Sequence, residues 1–294
     1  MFDILIIGAG PAGMSAAIYA RRAGLSVAIF EGEICGGQMT LTPEIENYPG
    51  IAKISGAELS YSMSEQMREL AAEVVEAGVR SVSATEGGFV LTADKEYFGK
   101  TVIIANGAKR RKLGIEGEER FVGRGVSYCA VCDGMFFKGK TVCVIGGGNT
   151  ALEDAIYLAR ICEKVYLVHR RDEFRAKKIL VDNLLKTDNI EVVYSATPKE
   201  IRGDMRVSML VLNDGRVIET SAVFVAIGLE PENGIFDGFV ELEDGYIKAG
   251  DDTHTSREGV FAAGDTRTKA LRQIVTAASD GAIAATEAEK YIYG

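Results

Sequence analysis

Two glycine-rich turns constrain this chain more than any other feature: Gly8-Ala9-Gly10-Pro11-Ala12-Gly13 and Gly146-Gly147-Gly148-Asn149-Thr150-Ala151. Each follows a short apolar run and opens a helical pattern, and each helix leads into a second apolar run. That order specifies a β-α-β unit with parallel strands, the setting in which a G-x-G-x-x-G/A turn binds a dinucleotide. In the first copy the strand is 2–7, the helix 14–23 and the second strand 26–30. Gly8 allows the tight turn, Gly10 lets the backbone approach a pyrophosphate, and Gly13 lets the helix seat close to the strand. Pro11 and Ala12 lie within this turn, and the N-terminal N–H groups of the helix that follows meet the phosphates. Glu31 stands 23 residues after Gly8, placed to accept hydrogen bonds from ribose hydroxyls.

The second copy runs from strand 141–145 through its turn to helix 152–160 and strand 164–168. Gly146 and Gly148 repeat the first and second glycines, and Asn149, Thr150 and Ala151 complete the turn ahead of the helix. His169 stands 23 residues after Gly146, the same step that leads from Gly8 to Glu31. Here the acid is replaced by His169-Arg170-Arg171, with Arg175 one turn onward. A carboxylate would repel a 2′-phosphate, whereas arginine forks bind one bidentately. The second site is therefore expected to prefer NADPH over NADH. An arginine-rich loop at a helix start is the bland alternative, and it leaves the matched spacing unexplained.

Between the two turns lies Cys129-Ala130-Val131-Cys132-Asp133. Two thiols at this spacing are a redox or a metal signal in a reducing compartment, and alone they do not say which. A zinc-binding interaction module needs about four ligands. The single pair and the two histidines, His169 and His254, do not supply a convincing set, so no metal is expected. Five cysteines, an odd number with one close pair, fit a reducing cytoplasm. The chain has 294 residues, enough for about two domains, and a net charge of −9 argues against nucleic acid or an anionic membrane as partner. No apolar run reaches membrane-spanning length. The N-terminus reads as a buried strand rather than a signal peptide.

The rest of the chain supplies the organisation. Residues 33–50 are loop-rich, and Gly36-Gly37 suits either close approach to a flat ligand or a plain turn. Cys35 reads as an inert half of no pair. Residues 58–77 read as one helix, with Leu59, Met63, Met67, Leu70 and Val74 on one face. Strands are expected at 79–90 and 97–105. Lys109-Arg110-Arg111-Lys112 reads as a solvated linker, marking a domain crossing. A helix is expected at 174–185, hairpins at Asn213-Asp214-Gly215 and Asp244-Gly245, and an alanine-rich final helix at 272–291.

These pieces together resemble the low-molecular-weight (bacterial-type) thioredoxin reductases. The likeness rests on GAGPAG, GGQ through ENYPG, CAVCDG, GGGNTALEDA, HRRDEFRA and GDTRTKALRQIVTAASDGA, in that order over nearly the whole chain. It implies an α/β fold of two Rossmann-like dinucleotide-binding domains, one for FAD and one for NADPH, the second inserted into the first. The FAD domain would be 1–112 with 245–294, and the NADPH and redox-disulfide domain 113–244. The resemblance implies FAD contacts from Gly37, Gln38, Asn47, Gly264, Asp265, Arg272, Gln273 and Ile274. It makes Cys132 the thiol facing the flavin, Cys129 the thiol that attacks the protein substrate, and Asp133 the acid and base. A homodimer, a thioredoxin or thioredoxin-like protein as substrate, and a hinge near Lys112 and Asp244 are implied as well.

Three departures from the family pattern stand out: Val131 between the cysteines, Asn106 in the A-T-G segment, and Leu271 where an aromatic is frequent. None removes a reacting group. A dithiol oxidase on the same fold is disfavoured by the arginine-lined turn, which an oxidase does not need. Ferredoxin-linked relatives lose that turn. A peroxide-system reductase is expected to carry an additional N-terminal redox domain.

Overall fold

The computed structural model describes residues 1–42 and 44–294. The chain divides into two compact units, the first 1–109 with 230–294 and the second 110–229.

In the first unit the strand Phe2–Ile7 lies between Val27–Phe30 and Glu96–Ile104, parallel to both. Its continuous apolar sequence follows from having both sheet faces covered. Ile4 and Ile6 enter the core under the helices, while Leu5 and Ile7 enter the opposite core with Phe236 and Val240. Glu96–Ile104 is shared lengthwise. Its first half pairs antiparallel with Gly88–Thr92, and its second half pairs parallel with Val260–Ala262. The helices Pro11–Arg22 and Ile274–Tyr293 pack at close range: a Cβ on Gly281 would lie 2.0 Å from the Ala12 carbonyl oxygen. This closeness is what the alanine-rich final helix is for, since larger side chains would hold the two backbones apart.

The second unit has an all-parallel sheet. Thr141–Ile145 is central, with Lys164–Val168 and Ile190–Val193 on one side and Ala222–Val225 and Val126–Ser127 on the other. Val142 and Val144 face the helices, and Cys143 and Ile145 face a three-stranded antiparallel sheet, Pro198–Gly203, Val207–Leu212 and Val217–Glu219. No helix among the described residues is long and apolar enough to cross a membrane.

Both hairpins form at the expected turns. Asp244 and Gly245 both take positive φ (52° and 83°), which a two-residue hairpin turn of primed type requires. Three element expectations are corrected below. The compact units divide at 109/110 and 229/230, where crossings were expected at 112/113 and 244/245. The reason for the larger difference is burial: Phe236 and Val240 pack with Val102 and Val260 in the first unit's core. The helix expected over 58–77 is Gly56–Glu69. Ala71 turns left-handed (φ 59°), and Val74 continues instead in the strand Glu73–Val75, beside Ile29. The segment 79–90 is a hairpin, Ser81–Thr85 with Gly88–Thr92, rather than one strand. The helix expected from 174 begins at Lys178.

Candidate functional site

The first glycine turn closes against the end of the central strands. Gly8 has φ 98°, and a Cβ there would lie 2.5 Å from the Ala105 carbonyl oxygen. On Gly13 it would lie 1.9 Å from the Gly8 carbonyl oxygen, so the helix rests directly on the turn. Gly10 differs, because a Cβ there would meet nothing within 4 Å. Its side is open, as a backbone approached by a pyrophosphate must be. Gly10 caps the helix without a side-chain oxygen on the first-turn N–H groups, and Pro11, which has no N–H to leave unmet, begins it. Ala12 lies behind this turn, buried. Glu31 is drawn to the turn itself: its Oε2 accepts from the Ala9 N–H at 2.9 Å and its Oε1 from the Glu33 N–H at 3.0 Å.

Three other segments of the same unit converge here. The Gly36 N–H donates to the Ala9 carbonyl at 2.7 Å, and a Cβ on Gly37 would lie 3.7 Å from the Gly10 Cα, so this glycine pair runs alongside the first turn. Gln38 donates its side-chain amide to the Ala108 carbonyl. Asn47 Nδ2 donates to Gln273 Oε1 at 3.0 Å, tying the 33–50 loop to the start of the final helix, where Ile274 is the first residue. The Arg272 guanidinium stands 4.4 Å over the Tyr246 ring. Gly264, at φ 81°, packs on the first helix, where a Cβ on it would lie 2.9 Å from the Ala12 Cβ, and Asp265 follows it in a short turn of helix. Beside Gly8, Asn106 donates to the Glu232 carbonyl and to Asn233 Oδ1 at 3.1 and 3.2 Å. Its own Oδ1 is buried and accepts no hydrogen bond among the described residues.

A buried charge network holds this region, and sequence reasoning did not single it out. Asp280 accepts from Arg267 through both oxygens at 2.9 Å, from Lys269 Nζ at 2.8 Å and from the Gly264 N–H at 2.9 Å. Burial alone would raise its carboxyl; the bonds from Arg267, Lys269 and Gly264 outweigh that and hold it below the usual carboxylate value. The signal was present: Asp280 falls between Ala277 and Ala284, on the small-residue face of a helix that is otherwise apolar there.

In the second unit, Gly146 lies under the Ala226 carbonyl, where a Cβ would come within 2.3 Å, and within 2.7 Å of Ala151. Ala151 is buried, which is why a small residue follows at that place; Asn149 and Thr150 are exposed at the helix start. Gly148 is open, with nothing within 4 Å of a Cβ, and the helix Asn149–Ala159 has no side-chain cap. His169 is buried, stacked on Phe174 at 5.3 Å, and its ring occupies the space a Cβ on Gly147 would take. Its Nε2 donates to the Glu173 carbonyl at 2.9 Å. The following loop is folded onto the turn by two bonds, from the Arg175 N–H to the Gly147 carbonyl and from the Lys177 N–H to Asn149 Oδ1, both 2.9 Å. Arg170, Arg171 and Arg175 are exposed, and no carboxylate pairs with any of them among the described residues.

Cys129 and Cys132 form a disulfide in the same unit, at the start of the short helix Ala130–Asp133. The Cys132 N–H donates to Cys129 Sγ at 3.2 Å. Asp133 follows directly, with one oxygen accepting from the Ser127 hydroxyl at 2.6 Å and the other buried without a partner among the described residues. Burial pushes its carboxyl up, against the opposing pull of Ser127 and Arg110. The other three cysteines are single: Cys143 and Cys162 are buried and Cys35 is half-buried, each thiol raised by desolvation.

Residues 2–281 match the family model described as pyridine nucleotide-disulphide oxidoreductase. The chain is 44% identical over 300 residues to the thioredoxin reductase of Bacillus subtilis, covering 99% of this chain and 95% of that one. It is 43% identical to that of Treponema pallidum, covering 99% and 97% of the two chains. The crystal structure of thioredoxin reductase from Streptococcus pyogenes superposes with a TM-score of 0.94 at 44% identity, over 100% of this chain and 98% of that one. A likeness of this strength over the whole length leaves one assignment: the chain belongs to the pyridine nucleotide-disulphide oxidoreductases, among the low-molecular-weight thioredoxin reductases.

Proposed function

We propose that this chain uses NADPH and FAD to reduce thioredoxin, or a thioredoxin-like protein, through the Cys129–Cys132 disulfide. The observation that carries the reading is the disulfide itself, in the same unit as an arginine-lined glycine turn and adjoining an acid whose carboxyl is raised by burial.

The residues fit both cofactors. In the first unit the open side of Gly10, the uncapped helix and the orphaned Asn106 Oδ1 offer room, donors and an acceptor to a dinucleotide. FAD would be held there by Gly8, Gly10, Pro11, Ala12, Gly13 and Glu31, with Gly37, Gln38, Asn47, Gly264, Asp265, Arg272, Gln273 and Ile274 around it. In the second unit the open Gly148 and the unpaired Arg170, Arg171 and Arg175 suit NADPH and its 2′-phosphate, over a turn packed by His169. When bound, these cofactors supply a hydride donor and a carrier that can pass two electrons to a disulfide.

What the chain's own residues do follows from thiol chemistry. In the reduced pair, the Cys129 thiolate attacks one sulfur of the substrate disulfide. A Cys129–substrate bond forms, the substrate S–S bond breaks, and the leaving sulfur takes a proton from Asp133. Cys132 then attacks Cys129, re-forming the Cys129–Cys132 bond and releasing the second substrate thiol, so two electrons pass from the pair to the substrate. The Cys132 N–H on Cys129 Sγ favours this division of labour, because the bond strengthens once that sulfur is charged. A homodimer in a reducing cytoplasm completes the reading. The test is NADPH-driven reduction of a thiol-reactive dye by the purified chain, with and without a panel of thioredoxin-like proteins. We expect yellow protein and thioredoxin-dependent turnover. A chain that holds no flavin, or that keeps full turnover with Cys129 and Cys132 both replaced by serine, overturns it.

A further inference from the structure

We propose that Ser127 is a positioning residue for the redox pair, its hydroxyl tying the Asp133 carboxyl to the Cys129 backbone and keeping the proton on that acid exchangeable. The inference rests on Asp133 serving as acid and base, and it concerns what allows it to do so.

Ser127 ends the strand Val126–Ser127 and is buried. Its Oγ accepts from the Cys129 N–H at 3.1 Å and lies 2.6 Å from Asp133 Oδ2, to which it donates. Among the described residues the only other acceptor in reach is the Cys129 carbonyl at 3.4 Å, and the single hydroxyl hydrogen goes to the shorter, charged bond. The hydroxyl is therefore oriented: Cys129 N–H to Ser127 Oγ, Ser127 O–H to Asp133. A turn needing only a satisfied serine does not require its hydrogen to point at a carboxylate. The Asp133 N–H returns to the Cys129 carbonyl at 3.1 Å, so disulfide, acid and serine form one closed local ring of bonds.

Two influences on Asp133 oppose each other. Desolvation favours the neutral acid, whereas the Ser127 hydroxyl and the Arg110 charge favour the carboxylate. No other charged group acts on it among the described residues. Tyr128 gives its hydroxyl to Glu118, and the packed helix Asn149–Ala159 brings the Tyr157 ring against Gly134. An acid that must both give and take a proton in each cycle works best with its pKa near the working pH. Ser127 supplies the opposing pull from closest range. Without it, burial keeps the proton on Asp133 to higher pH.

The experiment follows Asp133 by carboxyl carbon NMR in the oxidised protein, and follows reduction of Cys129–Cys132 by dithiothreitol across pH, corrected for the dithiothreitol thiolate fraction. In that reaction a dithiothreitol thiolate attacks one protein sulfur, the protein S–S bond breaks and the departing sulfur takes the Asp133 proton. The second dithiothreitol thiolate then attacks the dithiothreitol sulfur of the mixed disulfide, breaking that bond, releasing the other protein sulfur as a thiolate and closing oxidised dithiothreitol. Ser127→Ala should move the Asp133 midpoint up by about one pH unit, the size a hydrogen bond to an ionised group implies, and move the alkaline limb of the rate profile with it. Ser127→Thr, which keeps a hydroxyl, should stay near the parent. In the unmutated protein the Cys129 amide should titrate with the Asp133 midpoint, a readout that needs no variant. If Asp133→Asn leaves the alkaline limb in place, the acid role of Asp133 fails. If Asp133→Asn removes the limb but Ser127→Ala shifts neither readout, or the Cys129 amide stays flat, the role given to Ser127 is overturned.

Discussion

Replacing Asp280 by alanine tests the charge network that holds the 264–269 segment to the final helix. Arg267 and Lys269 have side chains only 4% and 6% exposed, and both pair with this buried carboxylate; Lys269 has no other carboxylate partner among the described residues, whereas Arg267 also lies 3.7 Å from the exposed Asp251. Removing one partner of a buried pair costs about 3–5 kcal/mol, because the remaining charge is left without compensation. The Gly264 N–H also loses its acceptor, worth about 1–3 kcal/mol, and since the bonds share one carboxylate the two figures do not simply add. A loss of about 4 kcal/mol is a large part of the roughly 5–15 kcal/mol that holds a domain together. Urea unfolding followed by far-ultraviolet circular dichroism measures the loss, and hydrogen exchange over 264–293 localises it. The pH dependence is a second check. The folded carboxyl lies below its unfolded value, so its contribution is fully present above the unfolded pKa of about 3.9 and disappears as pH falls through the lower folded value. The gap between parent and Asp280→Ala should therefore close in strong acid. A loss under about 1 kcal/mol at neutral pH, measured against that expected cost of a broken buried pair, would refute the reasoning.

Gly10→Ala should leave the thermal stability of flavin-free protein unchanged, since the added Cβ meets no protein atom, yet lower the flavin content of purified protein; ratios of absorbance near 450 nm to 280 nm report it. Gly13→Ala should instead destabilise the flavin-free chain, because its Cβ would lie 1.9 Å from the Gly8 carbonyl oxygen. Changing Arg170 or Arg171 to glutamine should reduce the ratio of kcat/KM for NADPH over NADH by about 10-fold or more, the scale of a lost charge-assisted bond, with NADH kinetics little altered. Gly147→Ala should displace the His169 ring and weaken both nucleotides alike, which competitive binding of NADPH and NADH distinguishes from the arginine variants.

What could be read from residues alone was whatever short-range backbone geometry dictates. Gly8 and Gly146 both sit at positive φ, and Asn213-Asp214-Gly215 and Asp244-Gly245 both turn hairpins, because these residues suit such conformations whatever surrounds them. The single helix over 58–77 was misread for the opposite reason. Val74 keeps the three- and four-residue rhythm of the helix before it, and only pairing with Ile29 across the sheet makes it a strand. The division at 229/230 rests on non-local packing likewise, since nothing local reveals that Phe236 is buried with Val102 and Val260. Ser127 and Asp280 are ordinary polar residues in sequence; their importance lies in what burial and neighbouring bonds make of them. His169 was picked out by its spacing as a nucleotide contact, and the structure adds that its ring is packed beneath the turn.

The shared strand Glu96–Ile104 bears on how the protein is made. As the chain leaves the ribosome, Val102, Ile103 and Ile104 emerge early, but their neighbours Val260, Phe261 and Ala262 come only after all of 110–229 has been synthesised. The inserted unit, continuous in sequence, is free to mature first, while the open edge of its host waits for a late arrival. An unpaired edge rich in isoleucine and valine invites association with other chains. Truncated products that stop short of position 260 should therefore aggregate, whereas a fragment spanning 110–229 should stay dispersed.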